Sequence, residues 1–407
     1  MGNISTTNTN AIYKYTCTIL TAFKNDKDPL TINNMRVRTL TIDYNYDAHI
    51  FPLIYATLAL NQDMVDKLKE NQAEGTVLFT LQKYIENSDM PGLKINVINE
   101  ECVYFISNDV GKNNEKAVND DRTADYGYVV TVGFIAKKHI NQNKIQTNGI
   151  IKSGSMSATL IYLLNKQNVL MEPLTYNPQV KYMIIPPSGS LFKTIKYLNK
   201  LNTFYDTPFR FFMDFDTTYL ISSSGKGIAK KGDQNNTVKI NIRSSYAEKN
   251  MEGMTEDKDN HMYIIDVSAS NSKIANSEFV DRVATSISGT STTGNNEKLN
   301  ITNNIKNNPI KENTNPIRIP NGNTNMLKNM QSQTLDNATL LSIHKSKIDG
   351  SIFSLNKYYL VDASEAYGKD YNGIYLLTSK VEVFAQEGQG LTMSTMLTFK
   401  KKNQLEE

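Results

Sequence analysis

The chain has no tryptophan, two cysteines and four histidines in 407 residues. Cys17 and Cys102 lie far apart and lack a second pair. That excludes a zinc knuckle and a disulfide framework, and points to two reduced, buried thiols. His49, His139, His261 and His344 never fall at a ligand spacing such as HxxxH, so no metal is assigned. Charge of one sign is missing too: 44 Lys and Arg against 41 Asp and Glu leave +3. This is too even for a chain held to nucleic acid by bulk charge, and no specific nucleic-acid binding is expected. No apolar run approaches the roughly 20 residues of a membrane span, so no membrane anchor is expected. The opening MGNISTTNTNAIYKYT lacks the charged-then-apolar order of a secretory signal. Gly2 and Thr6 fit an N-myristoylation pattern, but one so short and common that an ordinary N-terminus is the better reading.

What is present is β pattern. IYKYTCTILTAF and NMRVRTLTIDYNY carry β-branched and aromatic residues in partial alternation. TVLFTLQKY alternates cleanly, with Val77, Phe79 and Leu81 on one face and Thr76, Thr80 and Gln82 on the other. LKINVINEECVYFIS predicts a hairpin turning near Asn99 and Glu100, followed by a polar surface loop and the apolar strand YGYVVTVGFIA. Two short helices follow. In SGSMSATLIYLLNKQ, Ser153 or Ser157 would cap and Leu160, Ile161 and Leu164 would face inward. In LFKTIKYLNKLNTFY, Ser190 would cap a stripe of Leu191, Ile195, Leu198 and Leu201. A turn at 206–208 leads into FRFFMDFDTTYLIS, the most aromatic segment. From Val280 to Ile352 there is no aromatic residue at all, and the Asn/Thr-rich middle cannot offset its own ordering entropy, which predicts a long extended linker. Asp349–Gly350 is a good hairpin turn, and in the last strand Leu391, Met393, Leu397 and Phe399 share a face.

Few motifs carry chemistry. GKGIAKKG (225–232) is not GxxxxGK[ST], and SGSMS is not GxSxG. Asp214 and Asp216 form a DxD. On an extended strand the two carboxylates would point the same way and could hold a divalent cation for a glycosyltransferase. No phosphate-binding loop or base accompanies them, so they are better read as partners of Arg210 or of backbone amides. Nothing here carries a reaction, and no catalytic residue and no cofactor is assigned. The segment Phe209 to Tyr219 is instead the candidate packing or interface site: Phe209, Arg210, Phe211, Phe212, Asp214, Phe215, Asp216 and Tyr219, with Phe211, Phe212 and Phe215 interior.

IIPPSGSLFKTIKYLNKLNTFYDTPFRFFMDFDTTYLISSSGKG resembles a pattern in baseplate hub proteins of contractile phage tails. In these a Pro-bearing strand leads to a helix, then to an aromatic DFD segment and a Gly/Lys loop. TVGFIAKKHINQNKIQTNGIIKSGSMSATLIYLL, TIDYNYDAHIFPLI and YNGIYLLTSKVEVFAQEGQG are similar to neighbouring parts of such hubs. The resemblance implies an α+β, mostly β fold with two small tube-like β-barrel domains, short helices and the Asn/Thr-rich linker. The corresponding division is 1–125 for a first barrel, 126–225 for a mixed middle region, 226–335 for loops and linker, and 336–407 for hairpins completing a second barrel. It implies a non-enzymatic virion protein of the tail baseplate, assembled in the host cytoplasm as a homotrimer that joins the sixfold tail tube to the threefold spike. Partners would be the central spike protein, tail tube or tube-initiator proteins and the tape-measure protein. The alternatives are another tube or baseplate component, or a metal-dependent glycosyltransferase using the DxD.

Overall fold

The computed structural model describes residues 13–22, 29–46, 49–72, 75–85, 94–106, 128–144, 149–164, 168–185, 187, 190–201, 203–205, 209–222, 237–244, 254–257, 262–276, 339–346, 353, 355 and 358–401. The polar loop after residue 107, the turn at 206–208, the 225–232 loop, the core of the linker and the Asp349–Gly350 turn lie outside them. In chain order come β1 (Tyr13–Ala22), β2 (Thr31–Ile32), β3 (Val37–Asp43), β4 (Leu53–Leu60), α1 (Gln62–Glu70), β5 (Thr76–Ile85) and β6 (Ile95–Ile106). Then follow β7 (Tyr128–Ala136), α2 (Lys137–Asn143), β8 (Gly149–Ser155), α3 (Met156–Leu164), β9 (Val169–Met171), β10 (Gln179–Ile185) and α4 (Leu191–Leu201). The remainder is β11 (Phe209–Met213), β12 (Thr218–Ser222), β13 (Thr237–Arg243), β14 (Met254–Asp257), β15 (Met262–Ser268), β16 (Ser272–Asn276), β17 (Thr339–Ser346), β18 (Tyr358–Asp362), β19 (Gly373–Glu387) and β20 (Gly390–Lys401). The fold is α+β and mostly β.

Eight strands close the first barrel in the order β1, β5, β6, β7, β4, β3, β19, β20 and back to β1, every neighbour antiparallel. Among the described residues, closure leaves no free ladder edge in this barrel. The period-2 alternation decides the faces: Cys17, Ile19, Leu40, Ile42, Val77, Phe79, Leu81, Val132 and Phe134 are buried. On the outer face of β5 and β6, Thr76 donates to Glu101 (2.9 Å), Thr80 to Asn99 (3.0 Å) and Gln82 to Asn96 (2.8 Å). This polar ladder explains a difference from the sequence reading. Asn99 and Glu100 do not turn the chain, because β6 is one continuous strand whose polar residues face outward and pair, with a register shift opposite Leu81 and Gln82. Asn61 caps α1 by accepting from the Met64 N–H, and Val65 and Leu68 join the core.

The second sheet runs β14, β15, β13, β18, β19, β20, β17, β16. Its ends are not far apart. β15 and β16 are separated only by Ala269–Asn271, which span at most about 14 Å from Ser268 to Ser272 at ~3.5 Å per residue. Laid flat, the six ladder steps between those two strands would take about 29 Å at ~4.8 Å each. The sheet therefore curls so that β16 comes back near β15, and the chain turns the corner there from pairing with β13 to pairing with β17. Tyr367 pins the corner, its hydroxyl donating to the Ser272 carbonyl at 2.8 Å.

A third unit sits between them. β9, β12 and β11 form a three-stranded sheet, β8 and β10 a two-stranded ribbon, and α3 and α4 pack with the former around Met156, Leu160, Leu164, Leu191, Ile195 and Leu198. Ser190 caps α4 by accepting from Lys193. For α3 the cap is Ser155, which accepts from Ala158, rather than Ser153 or Ser157, because the helix starts directly off β8. Ile161 and Leu201 are exposed: Ile161 falls one position past the Met156–Leu160–Leu164 stripe, and Leu201 is the last residue of its helix.

On the outer wall of the first barrel Gly133 stands between Tyr55 and Phe105, and a Cβ there would lie 2.2 Å from the Phe105 ring. Gly133→Ala is expected to destabilise by about 1–3 kcal/mol through overpacking. The effect should shrink in a Phe105→Ala background, read as urea midpoints at constant slope.

Candidate functional site

β11 and β12 form a hairpin with two working faces. Phe211, Met213 and Leu220 point into the helical core of the middle unit, whereas Phe212 and Ile221 point into the core shared with the barrels. The hairpin base is held by Glu172, whose carboxylate accepts from the Ser222 N–H at 2.8 Å, and by Tyr205, whose hydroxyl donates to the Leu220 carbonyl at 3.1 Å. Its edge is tied to the loop between β3 and β4 by the Met213 N–H donating to the Ile50 carbonyl at 2.7 Å.

The barrel-facing side meets the place where the first barrel passes into the second, curled sheet. Phe212 stacks on Tyr46 (4.2 Å between centroids, 17°) and on Tyr219 (4.7 Å, 15°), and the Arg210 guanidinium lies 5.6 Å from its ring centroid. Each such ring pair adds about 0.5–1.5 kcal/mol beyond area burial. Arg210 also donates to the carbonyl of Thr378 at 3.3 Å. Thr378 is the residue skipped in the β19–β20 register between Leu377 and Ser379, so Arg210 serves a carbonyl at the bulge. Phe209 packs edge-on to Phe204 at 5.8 Å on the helical side, and Phe215 packs edge-on to Tyr44 at 6.2 Å.

Beneath the hairpin lies a buried charged layer. Lys380 and Glu382 form a 2.9 Å ion pair with side chains 10% and 6% exposed, and the Lys380 ammonium sits 4.4 Å from the Tyr44 ring centroid. Asp214 is nearly buried above it. Burial holds its carboxyl above the usual carboxylate range, partly offset by the Phe215 N–H that donates to it at 2.8 Å and by the Lys380 charge. Burial, then the neighbouring carboxylates, push the Tyr44 and Tyr46 phenols well above their ordinary value.

Asp214 and Asp216 do not form a convergent pair. They lie in the four-residue turn 214–217, closed by the Asp214 N–H donating to the Thr217 carbonyl at 2.7 Å, not on an extended strand. The Asp216 side chain is 92% exposed and faces Lys138 at 3.7 Å, while Asp214 points inward to Tyr46 and Lys380. Among the described residues no three His, Cys, Asp or Glu side chains converge to hold a metal ion. The site also contains residues that no motif marked: Tyr44 and Tyr46 just after β3, His139 on α2, and Lys380 and Glu382 on β19. His139 is buried, stacked on Phe51 at 6.0 Å and tilted against Phe215 at 6.2 Å. Burial foremost lowers its pKa to about 4; the Lys138 charge acts in the same sense, and Gln142 and Asp216 oppose it.

The family model for the Bacteriophage PBS1 gene 109 protein matches residues 3–402. The chain belongs to that family. No curated protein matches it in sequence. Among solved structures it is similar to the tail protein from Neisseria meningitidis MC58, at 10% identity and a TM-score of 0.46, covering 96% of this chain and 97% of that one. It is similar to a chain of the lidless PdpA–VgrG complex at 10% identity and a TM-score of 0.43, covering 97% of this chain but only 65% of the other's length. It is also similar to the E. coli c3393 protein, a component of the type VI secretion system with structural similarity to the T4 bacteriophage tail proteins gp27 and gp5. That likeness has 7% identity and a TM-score of 0.43, and covers 94% of this chain and 77% of that one. The family is thus a bacteriophage one, and the similar structures are tail and secretion-system proteins.

Two predictions follow the chemistry of this layer. Lys380→Met alone is expected to destabilise by about 3–5 kcal/mol because Glu382 is left as an uncompensated buried charge, and Lys380→Met with Glu382→Leu should recover most of it in chemical denaturation. For His139, a folded pKa below the unfolded value means that its contribution is complete above about pH 6.5 and is lost as pH falls toward 4. Wild type should therefore lose up to about 3 kcal/mol more than His139→Leu between those limits, measured as the difference of their urea stabilities at each pH.

Proposed function

We propose that the protein is a structural component of a phage tail baseplate, a homotrimeric hub that joins the sixfold tail tube to the threefold central spike. The observation that carries this reading is a closed eight-stranded barrel joined through a shared hairpin to a second, curled sheet, which in this reading is the second barrel. A subunit with two barrel walls at a fixed relative angle presents six walls when three copies surround an axis. Such a particle can match a sixfold tube on one side and a threefold spike on the other. The family supports a virion location; assembly in the host cytoplasm belongs to the same reading. Its partners in this reading are the spike protein, tail tube or tube-initiator proteins and the tape-measure protein. The DxD turn belongs to the packing of the hairpin on the barrel junction, so the hub works by shape and not by catalysis. The aromatic segment Phe209 to Tyr219 is the packing centre that holds the middle unit against that junction.

Light scattering on the purified chain, with negative-stain images of the same fraction, tests the reading. The expected mass is three times the 45.9 kDa subunit, in hollow threefold particles. A hexameric ring would move the protein to the tube, and a chain that stays monomeric with its spike present would overturn the hub.

A further inference from the structure

A buried titratable ring at the edge of the hairpin site has no polar partner. His139 on α2 is 1% exposed, and among the described residues neither its Nδ1 nor its Nε2 makes a hydrogen bond. Apolar rings from two other elements pack on it: Phe51 from the segment between β3 and β4, and Phe215 from the turn of the β11–β12 hairpin. The buried Oε1 of Gln142, one turn along α2, is unpartnered as well. The charged groups around this seam are engaged elsewhere. Lys137 and Lys138 of α2 hold Glu101 (2.6 Å) and Glu100 (2.5 Å) of β6, and His49 faces Asp43 at 3.5 Å. At the hairpin turn, Asp214 accepts from the Phe215 N–H and feels the charge of Lys380, itself paired with Glu382. β7 brings no charged side chain. α4 meets α2 through the Phe192 N–H, which donates to Asn143, while its Lys193 and Lys196 are exposed. Of all these, Lys138 and Asp216 act on the imidazole, in opposite senses.

We propose that His139 is an acid-operated latch: when its imidazole takes up a proton, the hairpin tip (213–217) lifts from α2 while the first barrel stays closed. The inference does not depend on the hub reading. A proton on this ring is an unpaired charge out of water, and opening the seam is the cheapest way to hydrate it. Phenyl rings centred 6.0 and 6.2 Å away lie at the outer limit of a cation–π contact and offset little of that cost. The Lys137–Glu101 and Lys138–Glu100 pairs keep α2 on the barrel. The tip is held less firmly, by the Met213 N–H on the Ile50 carbonyl, the edge-on Phe215–Tyr44 contact and the exposed Asp216–Lys138 pair, which is worth little. Farther down, the Phe212–Tyr46 stack and the Arg210–Thr378 bond anchor the hairpin, so the motion is confined to its tip. Asp214 works the other way. Burial holds its carboxyl above the usual range, so its proton uptake in acid favours the closed tip. For the imidazole, a value of 6.5 in the open tip and about 4 in the closed one means that closure weakens as pH falls between them. From pH 7 to pH 4.5 the imidazole alone raises the opening constant about 60-fold.

Amide hydrogen exchange of the full-length chain at pH 7 and pH 4.5, corrected for intrinsic rates, tests the latch in wild type and in His139→Leu. The Met213 amide reports the tip, and the amides of β5, paired on both sides, report the barrel. Asp214 is present in both proteins, so its opposing effect cancels in the comparison. The expected result is that Met213 protection falls about 60-fold further in wild type than in the variant, with β5 protection unchanged in both. His139→Phe, which keeps a ring in the stack, should behave as His139→Leu does and serves if that variant folds poorly. An equal pH response in wild type and both variants, including none in any of them, overturns the latch. Loss of β5 protection in step with Met213 also overturns it, because the chain would then be opening as a whole.

Discussion

Everything in this molecule hangs on one long hairpin. β19 has 15 residues and β20 has 12, against the five or six of an ordinary strand. Each strand belongs to the barrel and to the second sheet in succession. Residues 373–376 of β19 pair with β18 in the second sheet, and residues 381–385 pair with β3 in the barrel. β20 likewise pairs with β17 over 394–400 and meets β1 at Leu391. The barrel cannot close without these two strands, and their continuity ties it to the second sheet. The hairpin also comes last in the chain. Asn34 donates to the carbonyl of Gln389, and Lys14 reaches Glu387, across more than 350 residues. The first barrel thus stays open until the C-terminal strands arrive, a topology of high contact order and slow closure.

A shared hairpin creates a joint, and the β11–β12 hairpin is the piece that fills it. The bulge at Thr378 is the local price of passing from one barrel to the other, and Arg210 answers its carbonyl. Alternation along five-residue strands lets one hairpin enter two cores: Phe211, Met213 and Leu220 enter the helical one, Phe212 and Ile221 the barrel one. The middle unit is therefore attached by interdigitation and not by a linker alone. Its aromatic density follows from this geometry, because both faces of the hairpin must be covered and rings cover the most area for the fewest residues.

Much of this was legible in the residues. Val77, Phe79 and Leu81 alternate as a half-buried strand must, and the Leu391-to-Phe399 alternation marked the last strand. Ser190 and the Leu191–Ile195–Leu198 stripe announced α4. The resemblance pointed to the aromatic hairpin, but no local pattern could show what it touches. Tyr44, Tyr46, His139, Lys380 and Glu382 come from the segment after β3, from α2 and from β19, brought together only by barrel closure. Asn99 and Glu100 misled because polar residues inside a strand look like a turn until their partners, Thr80 across the ladder and Lys138 on α2, are known. The DxD misled for the converse reason: its spacing suits a strand, and only the 2.7 Å bond between Asp214 and Thr217 shows that a turn lies there.

The buried charges at the joint follow from the same bulge. Before Thr378 the inward residues of β19 are Tyr375 and Leu377; after it they are Lys380, Glu382 and Phe384. One inserted residue has reversed the parity of the strand. Alternation without a bulge would have turned Val381 and Val383 inward and left the ions in water. The bulged register instead sets Glu382 beside Ile42 and Thr395, within the barrel wall. An ion pair in such a place is weak support for stability, since desolvation offsets most of its attraction. Its effect is on alternatives. A state in which the middle unit is undocked exposes the Tyr44–Lys380–Glu382 layer without Asp214 and Phe215 above it, and a one-residue slip of β19 against β3 moves both charges off their partners. The native register is the one in which the bulge, the ion pair and the aromatic hairpin are satisfied together, so the joint between the barrels is specified by polar groups while the barrels themselves are held by apolar ones.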